Sequence, residues 1–158
     1  MTTRVRVEDN GAKRAMKLLK QPRMKLRVGI LDAEAKQKHP VHPGVTIGQI
    51  AVAHEYGQPW RKPPTPRRSW LWDWFDENVD QITKQLGADT HRVVMGGEDE
   101  WLALSKRASV YRQQIVDRIR YADPFERNAD ATVRSKGFDL PLIDSEWFIE
   151  SIRWEVVR

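Results

Sequence analysis

Two short segments with alternating apolar residues, one near each end of the chain, constrain the fold more than any other feature. In residues 25–31, Leu26, Val28 and Ile30 point one way, and residues 152–156 show the same period of two. This alternation is typical of a strand with one buried face. A lone strand leaves its backbone hydrogen-bonding groups unpaired, so we expect the two segments to pair with each other.

Apolar residues at helical spacing predict that much of the chain between these strands is helical. The predicted helices cover residues 10–20, 47–56, 67–86 and 99–121, with a turn near 131–136 and a short helix ending at 149. We expect Gly57 and Gly87 to end two of them, residues 32–46 to form an irregular loop, and residues 88–95 to hold a short strand. These elements predict an α+β fold, with a small antiparallel sheet packed against two long helices and extended loops or arms.

Charge divides the chain into a basic N-terminal segment and a near-neutral body. The formal net charge is +5, but residues 1–28 carry nine Lys or Arg residues against two acids. We therefore predict a basic amphipathic helix in residues 1–22 and a single α+β domain in residues 23–158. The predicted basic patch consists of Lys13, Arg14, Lys17 and Lys20. It suits an acidic partner, whether protein, nucleic acid or lipid headgroup, although a solvated face that aids solubility has the same composition.

Composition places the chain outside the secreted and membrane-spanning classes. It has no cysteine, so neither a disulfide framework nor a thiolate metal site is available. The N-terminus lacks the apolar core of a signal peptide, and no stretch is long and apolar enough to span a membrane. We expect the chain to act in the cytosol, or in a particle assembled there, without a membrane partner.

Motifs for catalysis or cofactor binding are absent from the sequence. His54-Glu55 resembles the start of a zinc-protease motif, but no histidine follows four residues later. His39 and His42 lack a third nearby ligand. The carboxylates at 73–80 and 98–100 fit a polar helix flank and a helix N-terminus. No phosphate-binding loop or nucleophile elbow is present. We predict no enzyme activity, no metal and no cofactor.

The proline arm, residues 58–66, is the most distinctive segment, and we expect it to be extended with polyproline character. Arginines and tryptophans follow it directly, and both are enriched at interface hot spots. The predicted subunit or partner contact residues are Trp60, Arg61, Lys62, Pro63, Pro64, Arg67, Arg68, Trp70 and Trp74. Stacking on single-stranded nucleic acid is an alternative, and core packing is expected for at least one tryptophan. We favour a protein contact, because these aromatics begin a helix and do not line a sheet.

Four short motifs in a fixed order carry a resemblance to a known family. They are the pattern Ala-x-x-His-Glu-aromatic-Gly at residues 51–57, the proline arm with arginines, Lys-Gly-Phe at 136–138 with Pro-Leu-Ile-Asp-Ser at 141–145, and Ser-Ile-x-aromatic-Glu-Val at 151–156. In this order the chain resembles the tail-completion proteins of tailed bacteriophages, the putative tail-component and virion-morphogenesis families of the head–tail neck. The resemblance covers roughly residues 24–158.

The resemblance implies a structural virion protein. It implies a homo-oligomeric ring, with six subunits expected, that completes the tail and joins it to the head. The implied partners are other copies of the chain, the neighbouring neck or head-completion proteins, and the tail terminator or tail tube protein. DNA would pass through the lumen without sequence-specific binding. The implied location is the virion neck, and the host cytoplasm during assembly.

Two other function classes remain open from the sequence. A basic DNA-binding module using residues 1–28 would bind duplex DNA with a steep salt dependence. A small metal-dependent hydrolase would need carboxylates that converge from separate elements of the fold.

Overall fold

A computed structural model describes residues 11–21, 24–40, 43–62, 64–121, 125–137, 139, 142 and 146–158. Within these ranges the elements are α1 (Ala12–Leu19), β1 (Lys25–Gly29), α2 (Asp32–Ala35), α3 (Ile47–Tyr56), α4 (Trp72–Val94), α5 (Glu100–Tyr121), α6 (Asp130–Lys136), α7 (Trp147–Glu150) and β2 (Arg153–Val157). The chain has the predicted α+β fold, with two long helices and a small antiparallel sheet.

The predicted pairing of the terminal strands is confirmed. β1 and β2 are antiparallel, with Leu26 opposite Val156 and Arg27 opposite Glu155. Leu26 packs against the core, while Arg27 donates a hydrogen bond of 3.1 Å to Glu155 on the other face of the sheet. Alternation along each strand therefore separates an apolar face from a charged one, as the period of two predicts.

The core lies where α5 packs against both strands and α4 packs along α5. Ile47, Ile115, Ile149 and Ile152 are fully buried and come from three distant parts of the sequence. Burying each such side chain contributes about 1.5–3 kcal/mol relative to leaving it in water. Arg112 of α5 also donates a 2.7 Å hydrogen bond to the carbonyl of Ile152, which links the helix to the start of β2.

The second long helix differs from its prediction at both ends. It begins at Trp72, later than the predicted residue 67, and it continues through Gly87 to Val94. The predicted end at Gly87 and the predicted strand in 88–95 are wrong. Beyond Gly87 the helix is held by buried Asp89 and Val93, and Asp89 accepts hydrogen bonds of 2.8 and 2.9 Å from Arg107 of α5.

Residues 32–46 are more ordered than the irregular loop that the sequence predicts. They contain α2, and Lys38 pairs with Thr46 in an antiparallel bridge. α2 packs closely on α3, because a β-carbon at Gly48 would lie only 3.0 Å from the β-carbon of Ala35. The sequence also offers Asp144 or Ser145 as the cap of the short helix that ends at residue 149, and both lie outside the described residues.

α1 lies at the C-terminal end of α4. Gly11, with a φ of 96°, lies against Val94 and Met95, and the side chain of Arg14 lies against Gly96. None of the residues of α1 is buried. The division into a basic helix and a single larger domain stays a prediction.

Candidate interface

α3 leads into the proline arm and has a defined beginning and end. Its first turn is closed by a capping box, in which Thr46 and Gln49 each accept a hydrogen bond from the backbone N–H of the other, at 3.3 and 2.9 Å. It ends at Gly57, where φ is 71°. A β-carbon at Gly57 would lie 2.9 Å from the backbone nitrogen of Arg67, so glycine is needed where the chain passes close to itself.

The proline arm turns back on itself. The backbone N–H of Gln58 donates to the carbonyl of Thr65 at 2.8 Å, and the N–H of Thr65 donates to the carbonyl of Gln58 at 3.2 Å. Arg61 donates from its backbone and from its guanidinium to Gln58, each at 3.2 Å. The expectation of an extended polyproline arm is therefore wrong, because backbone pairing closes the segment into a loop with Trp60 and Arg61 at its tip.

Arg68 joins this loop to the C-terminal part of the chain. Its backbone N–H donates to the carbonyl of His54 at 2.7 Å, and its guanidinium donates to the carbonyls of Glu126 and Arg127 at 2.9 and 3.1 Å. The Arg68 side chain is buried. Burial lowers the pKa of this guanidinium below its ordinary value, although nearby Glu126 and Asp139 oppose the shift. An arginine stays charged through such a shift.

Trp70 and Trp74 also lie inside the chain. Trp70 is 3% exposed and meets Phe148 edge-on, with ring centroids 5.3 Å apart, and Trp74 meets Tyr111 at 5.7 Å. Together with Arg68, these are three of the nine predicted contact residues. The prediction that these three residues contact a partner is wrong, because their side chains are buried within the chain itself.

The other predicted contact residues of the arm lie on the surface. Trp60 is 75% exposed, and Arg61, Lys62, Pro64 and Arg67 are exposed as well, whereas Pro63 lies outside the described residues. Arg67 is held against Asp73 by a 2.6 Å hydrogen bond. Burial would raise the pKa of Asp73, but hydrogen bonds from Arg67 and Ser69 outweigh it and hold that pKa below its ordinary range.

A groove of about 1220 Å³ lies beside the arm. Its lining includes Val52 of α3, Trp60 of the arm, and Thr132 and Ser135 of α6. Val52 is itself exposed, and so is Tyr56, one turn further along α3. This groove could not be predicted from the sequence, because α3 is apolar on several faces. The spacing of its apolar residues does not tell which face the rest of the chain covers.

Compared with known proteins, the chain matches no family model, no curated protein and no solved structure. The resemblance to phage tail-completion proteins therefore rests on the order of its sequence motifs.

The histidines singled out in the sequence have aromatic neighbours. His39 is buried and meets Trp147 edge-on at 5.1 Å, and His54 meets Phe148 at 6.2 Å. His42 lies outside the described residues. Over the described ranges, no group of three or more His, Cys, Asp or Glu side chains is placed to hold a metal ion. Nor does any helix in those ranges have the length and apolar character that crossing a membrane requires.

The four residues of the predicted basic patch are all exposed, three of them on α1 and Lys20 directly after it. The predicted carboxylate clusters have structural partners. Glu77 accepts a 3.0 Å hydrogen bond from Arg118, and Glu98 accepts one of 2.7 Å from Lys106. Glu77 thus lies on an exposed flank of α4, and Glu98 lies just ahead of α5, as the sequence predicts for the two clusters.

Proposed function

We propose that this chain is a structural subunit of the neck of a tailed bacteriophage. It forms a ring of identical subunits, six by analogy with the family it resembles, that completes the tail and joins it to the head. DNA passes through the lumen without sequence-specific contacts. The subunit works in the virion and is assembled in the host cytoplasm.

The observation that carries the proposal is an exposed aromatic tip on a fixed loop. Trp60 presents most of its surface to solvent. The base of the loop is fixed by backbone pairing between Gln58 and Thr65 and by the buried guanidinium of Arg68. Exposed apolar groups beside a groove are typical of protein-binding surfaces. A loop that is already ordered loses little conformational entropy when it binds, which favours a specific contact.

The small sheet supports assembly as well. Within the ranges that the structure describes, β1 and β2 form a two-stranded sheet, so each strand has one pairing edge left. Such edges are commonly covered or used to join neighbours. A catalytic function has no comparable support from the described residues.

The proposal is tested in the phage that carries the gene. An early stop codon should yield DNA-filled heads and separate tails in electron micrographs, and wild-type protein supplied in trans should restore joined particles. Trp60→Ala combined with Arg61→Glu should reproduce the defect. Trp101→Ala, which removes another exposed tryptophan on α5, is the matched control and should give joined particles. Normal phage yield from the stop mutant, or absence of the chain from purified virions, would overturn the proposal.

Reversing the charges of Arg67 and Arg68 together would be a poor test of the contact surface. Arg68→Glu would place a carboxylate against the carbonyls of Glu126 and Arg127 in a buried site, so the chain would lose stability for reasons unrelated to joining. Arg61 lies at the exposed tip and avoids this difficulty.

A further inference from the structure

Two exposed helix surfaces carry opposite charges, and each has apolar residues beside its charged ones. On α1, Met16 and Leu19 share one face with Lys17 and Lys20 beside them, and Leu19 is 73% exposed. We define these four residues as the α1 face. An eight-residue helix with no buried residue contributes little to the core of its own chain.

The opposing surface lies on the first turns of α4. Trp72, Phe75 and Val79 follow one another at three- and four-residue spacing and are all exposed, with Trp72 at 58%. Asp76 and Asp80 lie beside this row, and neither forms an ion pair with a described residue. These five residues are defined as the α4 stripe. Each surface thus has an apolar row beside a charged row, and the two charges are opposite.

Within one chain the two surfaces cannot meet. Gly11 and Arg14 hold α1 at the C-terminal end of α4, next to Val94 and Gly96. From Val94 back to Val79 a helix extends about 22 Å, whereas α1 from Gly11 to Leu19 extends about 12 Å. The α1 face can therefore reach an α4 stripe only in another copy of the chain.

We propose that the α1 face of one subunit docks onto the α4 stripe of the next copy. This inference rests on the proposed ring. Because the two surfaces differ and lie at opposite ends of α4, the contact is head-to-tail, and such a contact closes into a ring when its rotation permits. Each contact is small, but every subunit of a closed ring makes two, which strengthens the whole assembly.

A second copy fits the α1 face better than nucleic acid does. Phosphate groups would pair with Lys17 and Lys20 but would leave Met16 and Leu19 in water. The α4 stripe provides both an apolar row and two carboxylates. Burying the apolar rows supplies affinity, and the charge pairs set the orientation of the neighbours.

The absence of cysteine permits a direct test by disulfide cross-linking. A variant with Leu19→Cys and Val79→Cys should give, on mild oxidation of the assembled protein, a ladder of covalent oligomers that stops at the ring size. The matched control pairs Leu19→Cys with Gln81→Cys, which is exposed on the opposite side of α4, and should give little product. Leu19→Cys alone should not dimerise.

Charge reversal gives an independent readout. Lys17→Glu with Lys20→Glu should weaken self-association by about tenfold in sedimentation equilibrium, and adding Asp76→Lys with Asp80→Lys should restore it.

The outcomes separate this inference from the proposed function. If micrographs show wild-type rings and the Leu19/Val79 pair gives no ladder, the docking assignment is wrong while the ring stands. A ladder no stronger than that of the Gln81 control, or efficient dimers of Leu19→Cys alone, also overturns it. Salt-dependent binding to a duplex DNA probe that Lys17→Glu/Lys20→Glu abolishes, together with no ladder from the Leu19/Val79 pair, would assign the two lysines to nucleic acid and also overturns the docking assignment. Whether the chain joins heads to tails is decided separately by the stop mutant.

Discussion

The carboxylate of Glu55, in the last turn of α3, accepts a buried hydrogen bond from the hydroxyl of Ser69, just ahead of α4. The same carboxylate accepts the backbone N–H groups of Leu71 and Trp72 at 3.2 and 3.0 Å. Helix N-termini have unpaired N–H groups that a negative charge satisfies well. Glu55 of α3 therefore caps the N-terminus of α4, although the proline arm separates the two helices in sequence. This cap fixes where α4 begins.

Removing this cap should destabilise the chain without touching the exposed arm tip. Glu55→Ala leaves the partly buried N–H groups of Leu71 and Trp72 without their acceptor, and we expect a loss of about 2 kcal/mol in the free energy of unfolding. Urea denaturation followed by tryptophan fluorescence measures it. Glu150→Ala, at an exposed carboxylate, is the control and should change the midpoint little. Equal midpoints for the two variants would contradict the capping role.

The ion pair between α4 and α5 should make stability depend on pH. Hydrogen bonds from Arg107 lower the pKa of Asp89 below its ordinary value, and burial only partly opposes them. A carboxyl group with a depressed folded-state pKa stabilises the fold above its unfolded-state pKa of about 3.9 and loses that contribution as the pH falls through the folded value.

Asp89→Asn should therefore cost about 2 kcal/mol near neutral pH, and this gap from wild type should shrink below about pH 4. Urea titrations at pH 7, 5, 4 and 3 measure the gap. Glu150→Gln, at an exposed carboxylate outside any described ion pair, should change the stability at pH 7 by less than about 0.5 kcal/mol. A gap for Asp89→Asn that stays constant down to pH 3 would contradict the paired state of Asp89.

The same ion pair shows what the sequence could and could not predict. The strands and α3 were predictable because their patterns are local: alternation in β1 and β2, and the helical run that ends at Gly57. The continuation of α4 past Gly87 was not, because Asp89 meets Arg107 across 18 residues of sequence. Two adjacent valines and a preceding glycine then favoured a strand, but packing against α5 outweighs that local preference.

The candidate interface was predictable only as a segment. The proline arm and its basic and aromatic residues were found, but sequence spacing could not tell Trp60, at the tip, from Trp70, in the core. That distinction depends on the pairing of Gln58 with Thr65 and on the contact between Trp70 and Phe148, which lie far apart in sequence.

Replacing Arg68 even by lysine should destabilise the chain. Its guanidinium reaches two carbonyls at once, those of Glu126 and Arg127, and a single ammonium cannot reproduce that fork. We expect Arg68→Lys to lower the free energy of unfolding by about 1–3 kcal/mol. Arg134→Lys, at an exposed position of α6, is the matched control and should leave it unchanged. Indistinguishable denaturation curves for the two variants would show that Arg68 does not hold the arm.

Substitutions of Trp60 and Trp70 should affect different properties: the first should impair assembly, and the second should impair folding stability. Trp70→Ala removes a ring packed against Phe148 and should cost about 3–5 kcal/mol in the free energy of unfolding, with assembly lost only as a consequence of unfolding. Trp60→Ala removes an exposed ring and should change stability by less than about 0.5 kcal/mol, yet abolish the joining of heads to tails. Urea denaturation of the purified variants and electron microscopy of phage lysates measure the two effects. If Trp60→Ala phage assemble normally, the arm tip is not the contact surface, because this variant keeps the fold and the loop intact and removes only the group that a partner would bury.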